Sequence, residues 1–156
     1  MSPSSFVPSS SEPSSSVPSS SVSTTSQSTH QVLAPFHLAF PVDSLIEARW
    51  FYGELLGCEE GRSSDDWVDF NFFGHQLVAH LVSSNQHNDH HSLVDGHQVP
   101  VRHFGLALNE TQWREIRDRL QKAEVTFLIE PSLRFKGTSG EQWTLFLCDP
   151  SGNALE

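Results

Sequence analysis

Two histidines of the chain occupy the same place in two similar segments. His37 is the second residue of segment 36–43 (FHLAFPVD), and His103 is the second residue of segment 102–109 (RHFGLALN). In each segment, large apolar residues alternate with the histidine and with small residues, which predicts a β-strand whose histidine lies opposite the apolar face. A single strand histidine is usually structural. Two histidines at matched positions of a repeat indicate that both face one cleft.

A carboxylate near the second histidine strand completes a possible ligand set. Segment 149–156 (DPSGNALE) predicts a turn followed by a short apolar strand that contains Glu156. Two imidazoles and one carboxylate form a facial triad with open metal positions, which suits Fe(II) and is compatible with Mn, Zn, Ni or Co. We expect the ligand atoms of His37, His103 and Glu156 to lie within about 4 Å of a common point. A solvated chain end is the alternative for Glu156, and Asp149 is expected to serve the turn and not to bind metal.

The remaining histidines are weaker candidates. His80 lies near the end of the last strand of the first half, where Glu156 lies in the second half, so it is the symmetry-related fourth candidate. Its alternative is a packing histidine or one that supports the ligands. Segment 83–100 is polar and has no apolar period, which predicts a linking loop. Its four histidines are interpreted as solvated: His87, His90, His91 and His97.

The elements that position these residues also repeat. A capping box at Ser44 and a C-terminal stop at Gly57 predict a helix over about 44–56, and Asn109 with Gln112 begins a second helix that runs to about Ala123. Strand-like segments follow each helix: 67–73 and 76–82, then 126–133 and 142–148. The prediction is an α+β fold of two βαβββ modules, related by a pseudo-twofold axis, that form a curved mixed sheet around a metal cleft. Its walls are expected to include Trp67, Asp69, Asn71, Gln142 and Thr144.

The chain of 156 residues is predicted to contain one domain, residues 33–156, preceded by a tail. Residues 1–32 are rich in Ser and Pro, with one acidic residue and no Lys or Arg, which predicts a disordered segment. An organelle transit peptide is the alternative, and the lack of Arg argues against it.

Composition narrows the partners and the compartment. The formal net charge of −10 would repel a phosphate backbone, so nucleic acid is not an expected partner. No apolar segment approaches the ~18 residues needed to span a bilayer, and no signal-like segment occurs. Two cysteines without metal-type spacing fit a reducing compartment. We therefore expect a cytoplasmic protein that binds a small molecule and no membrane.

Taken together, these motifs resemble the vicinal oxygen chelate superfamily. The resemblance rests on the two histidine strands, on segments 48–52 (ARWFY) and 55–58 (LLGC), and on the ending 149–156, and it covers residues of about 33–156. This superfamily includes glyoxalase I, fosfomycin-resistance thiol transferases, methylmalonyl-CoA epimerase, extradiol ring-cleaving dioxygenases and metal-free antibiotic-binding proteins. The resemblance implies metal ligands at His37, His103 and Glu156. Glyoxalase I and the epimerases look as if they place a carboxylate or Gln at the position of His80, which weakens a glyoxalase assignment.

The resemblance leaves three functions open. The first is a divalent-metal enzyme similar to single-domain extradiol dioxygenases, with Fe²⁺ favoured, that chelates vicinal oxygens of a small substrate. The second is a glyoxalase-like lyase or isomerase that acts on a 2-oxo compound or thiol adduct, with Mn²⁺, Zn²⁺ or Ni²⁺ possible. Few basic residues could hold the carboxylates of a glutathione adduct: Arg49, Arg102, Arg134 and Lys136. The third is a non-catalytic protein that binds a small ligand in the cleft.

The position of Glu156 in a short final strand leads to two further expectations. We expect the natural chain to continue beyond Glu156 with an apolar residue, because a ligand at a frayed end would be held loosely. We also expect a homodimer, because an exposed sheet edge favours self-association.

Overall fold

The computed structural model describes residues 34–83 and 90–156. Residues 34–156 form one compact unit, and the predicted tail lies outside the described residues. The first module contains a helix α1 that begins at Leu45–Ala48 and continues as a π-helical segment, Arg49–Leu55. Its four strands are β1 (His37–Val42), β2 (Glu59–Ser63), β3 (Trp67–Phe72) and β4 (His75–Leu81). A hairpin follows, made of β5 (His91–Val94) and β6 (His97–Pro100). The second module contains β7 (His103–Phe104), α2 (Glu110–Lys122), β8 (Phe127–Arg134), β9 (Gln142–Cys148) and β10 (Ala154–Leu155).

The two modules have the same strand topology. One four-stranded sheet has the order β1-β4-β3-β2 and the other has the order β7-β10-β9-β8. In each sheet the first strand runs parallel to the last, and the other pairs are antiparallel. The predicted α+β fold of two βαβββ modules is confirmed.

Both predicted helices are present, and one differs in its hydrogen bonding. The Ser44 side chain accepts a bond from the Glu47 N–H at 3.3 Å, and Asn109 and Gln112 form a complete capping box. The first helix changes to the wider π form over Arg49–Leu55, with Leu56 N–H donating to the Phe51 carbonyl. The apolar period of 3.6 residues gave no sign of this change.

Two elements differ from the prediction. β2 was not predicted, because all five of its residues are exposed and it has no apolar alternation. The predicted loop 83–100 is wrong for residues 91–100, which form the β5–β6 hairpin. Its turn is Asp95-Gly96, both with positive φ (49° and 79°), as a two-residue type I′ turn requires. His87 lies outside the described residues, whereas His90 and His91 are exposed.

One apolar core joins the modules. It combines the buried face of β1, α1, β3 and β4 with residues of the second module such as Leu120, Leu145 and Leu155. The Tyr52 ring lies at its centre and contacts the Phe40 and Phe70 rings, each at 5.3 Å between centroids. The modules are thus held together on the face opposite the histidines. No helix in the described ranges is long and apolar enough to cross a membrane.

Polar bonds also connect the modules at the turn before β10. The Tyr52 hydroxyl donates to Asp149 at 2.9 Å, the Asn153 amide donates to the Pro41 carbonyl at 2.9 Å, and the Asp43 N–H donates to the Ser151 hydroxyl at 2.9 Å. Asp149 itself accepts bonds from the backbone of Ser151 and Asn153, so it serves the turn as predicted.

Candidate metal centre

His103 is held by the loop that precedes β7. Its Nδ1 lies 2.7 Å from the Pro100 carbonyl oxygen. A carbonyl only accepts hydrogen bonds, so Nδ1 carries the proton, and in the neutral ring Nε2 presents its lone pair. The Phe146 ring packs edge-on against the imidazole at 5.1 Å between centroids. This arrangement, with one ring nitrogen bonded to a carbonyl and the other available, is the usual one for a metal-ligating histidine.

Glu156 lies beside His103 because β10 runs next to β7. Its Oε2 is 3.4 Å from His103 Nε2, and its Oε1 accepts a bond from the Thr144 hydroxyl at 2.7 Å. Two ligands about 2.1 Å from one ion, at octahedral or tetrahedral angles, lie about 3.0–3.4 Å apart. The pair of His103 and Glu156 therefore fits two adjacent positions of one divalent metal.

The close approach of β7 and β10 depends on Gly105. A Cβ atom at this position would lie 1.7 Å from the carbonyl oxygen of Glu156. Only a residue without a side chain allows the Glu156 backbone to pair here, with its N–H bonded to the Phe104 carbonyl at 2.9 Å. Gly105 thus places the carboxylate next to the imidazole.

His37 is oriented in the same way in the first module. Its Nδ1 lies 2.7 Å from the Gln76 side-chain oxygen, and the Gln76 amide nitrogen donates to Asp69 at 3.1 Å. Asp69 also accepts two bonds from Arg62, at 3.1 and 3.0 Å, so it is an acceptor and fixes the orientation of the Gln76 amide. His37 Nδ1 must then donate, which leaves Nε2 as the free lone pair.

The three predicted ligands do not all converge within the single chain. His103 and Glu156 come together, but the described residues contain no group of three or more His, Cys, Asp or Glu side chains arranged to hold a metal. The single chain therefore does not show His37 with the other two, and the three-ligand set stays a prediction. Both modules contribute their apolar faces to the shared core, and His37 with Gln76 and His103 with Glu156 are called the two half-sites below.

His80 is not the symmetry mate of Glu156. In the first sheet His37 lies opposite Gln76, and in the second His103 lies opposite Ala154. Two residues further along each last strand are Val78 and Glu156. Val78 is therefore the equivalent of Glu156, and His80 lies two residues beyond it, exposed and paired in register with Pro41 and Trp67.

The register shows which of the predicted wall residues share a face with the candidate ligands. In the first sheet, Trp67, Asp69 and Asn71 lie opposite His80, Val78 and Gln76, on the face of His37. In the second sheet, Gln142 and Thr144 share the face of Glu156. Gln76, which holds His37, was not predicted, because a polar residue in a strand gives no sign of its partner.

Comparisons with known proteins agree with this architecture. Residues 34–156 match the model of the Glyoxalase/Bleomycin resistance protein/Dioxygenase superfamily. A glyoxalase/bleomycin resistance protein/dioxygenase structure from Alicyclobacillus acidocaldarius is 35% identical, with 78% of this chain and 86% of that chain covered and a TM-score of 0.64.

More distant structures share the fold. A glyoxalase/dioxygenase from Nostoc punctiforme is 17% identical, with 82% and 95% of the two chains covered and a TM-score of 0.58. A lactoylglutathione lyase from Agrobacterium tumefaciens is 19% identical, with 80% and 92% covered and a TM-score of 0.56. No curated protein matches the chain. From the family model and the 35% identical structure, the chain belongs to the Glyoxalase/Bleomycin resistance protein/Dioxygenase superfamily.

Proposed function

We propose that this protein is a divalent-metal enzyme that chelates vicinal oxygens of a small substrate, with His103, Glu156 and His37 as the metal ligands. The observation that carries the proposal is the 3.4 Å separation of His103 Nε2 and Glu156 Oε2, with each side chain held by a separate hydrogen bond. Bound there, a divalent ion would supply Lewis acidity to the substrate oxygens.

The donor set favours oxygenase chemistry, of the extradiol ring-cleaving type, with Fe²⁺. Because Val78 stands at the position equivalent to Glu156, the first module contributes one imidazole and no carboxylate from this strand pair. Two imidazoles and one carboxylate are typical of non-haem Fe(II) oxygenases and leave three positions for substrate and O₂. A lyase that uses Mn²⁺, Zn²⁺ or Ni²⁺ and a metal-free binder remain as outcomes of the test.

We propose further that two copies of the chain share each site. His37 lies on a separate half-site from His103 and Glu156, yet its Nε2 is prepared in the same way. A twofold dimer in which the first module of one protomer faces the second module of the other would complete two identical triads. In this proposal the expected homodimer is needed to complete each metal site. A cytoplasmic location stays a prediction that the two free thiols, Cys58 and Cys148, support.

The protein's own side chains and backbone would orient the metal ligands. The Pro100 carbonyl and the Gln76 amide fix which nitrogen of each imidazole is available. The Thr144 hydroxyl holds one carboxylate oxygen of Glu156 and leaves the other facing His103. With the ligands held in advance, little side-chain entropy would be lost on metal binding.

Metal analysis and mixed dimers test both parts. The untagged protein should contain iron at about one ion per chain, and His103→Ala or Glu156→Gln should lower metal affinity by at least about tenfold. His90→Ala, at an exposed histidine outside the site, is the matched control. Oxygen uptake with catechol would identify the dioxygenase, and isomerisation of a hemithioacetal would identify the lyase. Wild-type protein without metal affinity would favour the binder.

Complementation distinguishes a shared site from one within a chain. His37→Ala and Glu156→Gln chains are each expected to lack complete sites. Mixed in equal amounts, refolded and assembled at random, they should recover about one quarter of the wild-type sites, because each mixed dimer has one intact set. No recovery, with mixed dimers present by native mass spectrometry, would contradict the shared site.

A further inference from the structure

Two neighbouring residues of β8 carry buried polar atoms without partners. Among the described residues, the buried side-chain nitrogen and oxygen atoms that lack a hydrogen-bond partner are Ser132 Oγ and Arg134 Nε. The two residues are separated by one position of a strand, so their side chains lie on the same face. Unpaired buried donors are unfavourable in a folded protein and often mark a place where a ligand binds.

That face is the face of the candidate metal ligands. Ser132 lies directly opposite Thr144, and Arg134 lies opposite Gln142. The Thr144 hydroxyl donates to Glu156 at 2.7 Å across a diagonal, because continuing the β9–β10 register places Glu156 opposite Phe146, two residues from Thr144 on the same face. With strands about 4.8 Å apart and residues about 3.4 Å apart along a strand, the Cα atoms of Ser132 and Glu156 are about 12 Å apart, which an extended small organic molecule can span.

Arg134 is a cation with incomplete compensation. Its side chain is 4% exposed. Among the described residues, Arg134 is the only Lys or Arg that is buried. One guanidinium nitrogen donates to the Val94 carbonyl at 2.7 Å, whereas the nearest carboxylate, Asp95, lies 3.7 Å from Nε and is 44% exposed. A distance of 3.7 Å is too long for a hydrogen bond. The guanidinium is therefore available to a better-placed anion.

We propose that Ser132 and Arg134 form an oxyanion subsite that binds the carboxylate or phosphate group of the ligand whose other end reaches His103 and Glu156. Only the placement of that other end rests on the proposed metal function. Asp95, in the turn of the β5–β6 hairpin, occupies the charge-partner position until the anion displaces it. The substrate would then be an acidic compound with its vicinal oxygens about 12 Å from its anionic group.

The competing explanation is purely structural. Arg134 joins the β5–β6 hairpin to β8 through Val94 and Asp95, and Val99 of the hairpin packs on Ile129 and Phe146. If anchoring the hairpin were its entire role, removing the Asp95 charge would loosen the hairpin and create no affinity for anions. In the proposed subsite, the same change removes a competitor and strengthens anion binding.

Calorimetric titration of the chelator-treated full chain separates the two explanations. The probes are benzoate and phenyl phosphate, and benzamide is the uncharged control. Both anions should bind wild-type protein and benzamide should not. Arg134→Gln should weaken anion binding by about tenfold or more, and Ser132→Ala by about threefold or more, because charge-assisted and neutral bonds are lost. Asp95→Asn should strengthen it about threefold or more. Arg114→Gln, at an exposed arginine of α2, is the charge-matched control and should have no effect.

Each result decides the proposal without reference to the metal. Tighter binding of benzoate places a carboxylate in the subsite, and tighter binding of phenyl phosphate places a phosphate there. Wild-type protein that binds neither anion at millimolar concentration would overturn the subsite, as would Asp95→Asn with unchanged or weaker binding. If Arg134→Gln does not fold, Ser132→Ala and Asp95→Asn decide. Anion binding in a protein that takes up no metal would overturn the metal function alone and leave the subsite standing.

Discussion

Removal of the Tyr52 hydroxyl should destabilise the protein in a pH-dependent way. Tyr52→Phe deletes one oxygen and keeps the ring contacts with Phe40, Phe51 and Phe70. The side chain is 0% exposed, and its hydroxyl donates to Asp149, which is 4% exposed. A hydrogen bond to an ionised group contributes about 1.5–3 kcal/mol, and a neutral one about 1 kcal/mol. We therefore expect a loss of about 2 kcal/mol in the free energy of unfolding at neutral pH.

The pH dependence follows from the environment of Asp149. Burial raises the pKa of Asp149 above its ordinary value of 3.8, although bonds from Asn153, Tyr52 and Ser151 act to lower it. A carboxyl group whose pKa is raised by folding contributes to the stability of the folded state at a pH below its unfolded pKa. This contribution is lost as the pH rises through the pKa of the folded state. Tyr52→Phe removes one lowering bond and raises the pKa of Asp149 further. The difference between wild type and variant should thus grow from acidic to neutral pH.

Urea unfolding followed by tryptophan fluorescence at about pH 4 and about pH 7 measures both quantities. The loss should be about 1 kcal/mol at the lower pH and about 2 kcal/mol at the higher pH. When Asp149 is replaced by Asn, which cannot ionise, Tyr52→Phe should lower the free energy of unfolding equally at the two pH values. A loss below about 0.5 kcal/mol at neutral pH, or a larger loss in acid, would refute the reasoning.

Three further predictions concern the candidate metal centre. Gly105→Ala should separate β7 from β10, because the added Cβ would overlap the Glu156 carbonyl. Urea unfolding should show a free energy of unfolding lower by at least about 2 kcal/mol. Unchanged stability would contradict the close approach of the two strands. Gln76→Leu removes the acceptor that fixes His37 and should weaken metal binding about tenfold or more in a chelator competition, whereas Asn71→Leu, on the same face, should not. Thr144→Val keeps the shape of the side chain but removes the bond to Glu156, and it should weaken metal binding about tenfold in the same chelator competition. Unchanged metal affinity would show that Glu156 does not need this bond.

Much of the architecture was predictable because the two modules repeat the same pattern. The strands of His37 and His103 and the capping residues of both helices carry strong local signals, and the structure contains each of these elements. β2 was missed because its exposed sequence EEGRS has no apolar face. The β5–β6 hairpin was missed because the polar character of its strands outweighed the Asp95-Gly96 turn signal.

The candidate site was predictable in part for a different reason. Glu156 lies beside His103 because both belong to one module, whose internal pairing follows from its pattern. The position of His37 relative to them depends on how two modules pack, and strand periodicity does not contain that information. Assigning His80 as the equivalent of Glu156 failed by two residues, because the register of β4 is set by its hydrogen bonds to β1 and not by distance along the chain.

Pro41 has a consequence for how the two sheets meet. The carbonyls of Phe36, just before β1, and Val42, at its end, accept bonds from the Gln76 and Val82 N–H groups. By the alternation of a parallel ladder, the backbone groups of His37, Ala39 and Pro41 point to the free edge of that sheet. Pro41 has no N–H to donate, and its carbonyl is already occupied by the Asn153 side chain at 2.9 Å. This edge therefore resists the addition of another strand, which keeps the two sheets separate and protects the chain from edge-to-edge aggregation. In the described residues, no strand ladder joins the two sheets. The first module of one molecule can therefore pack against the second module of another molecule, in place of its own, without breaking a sheet hydrogen bond.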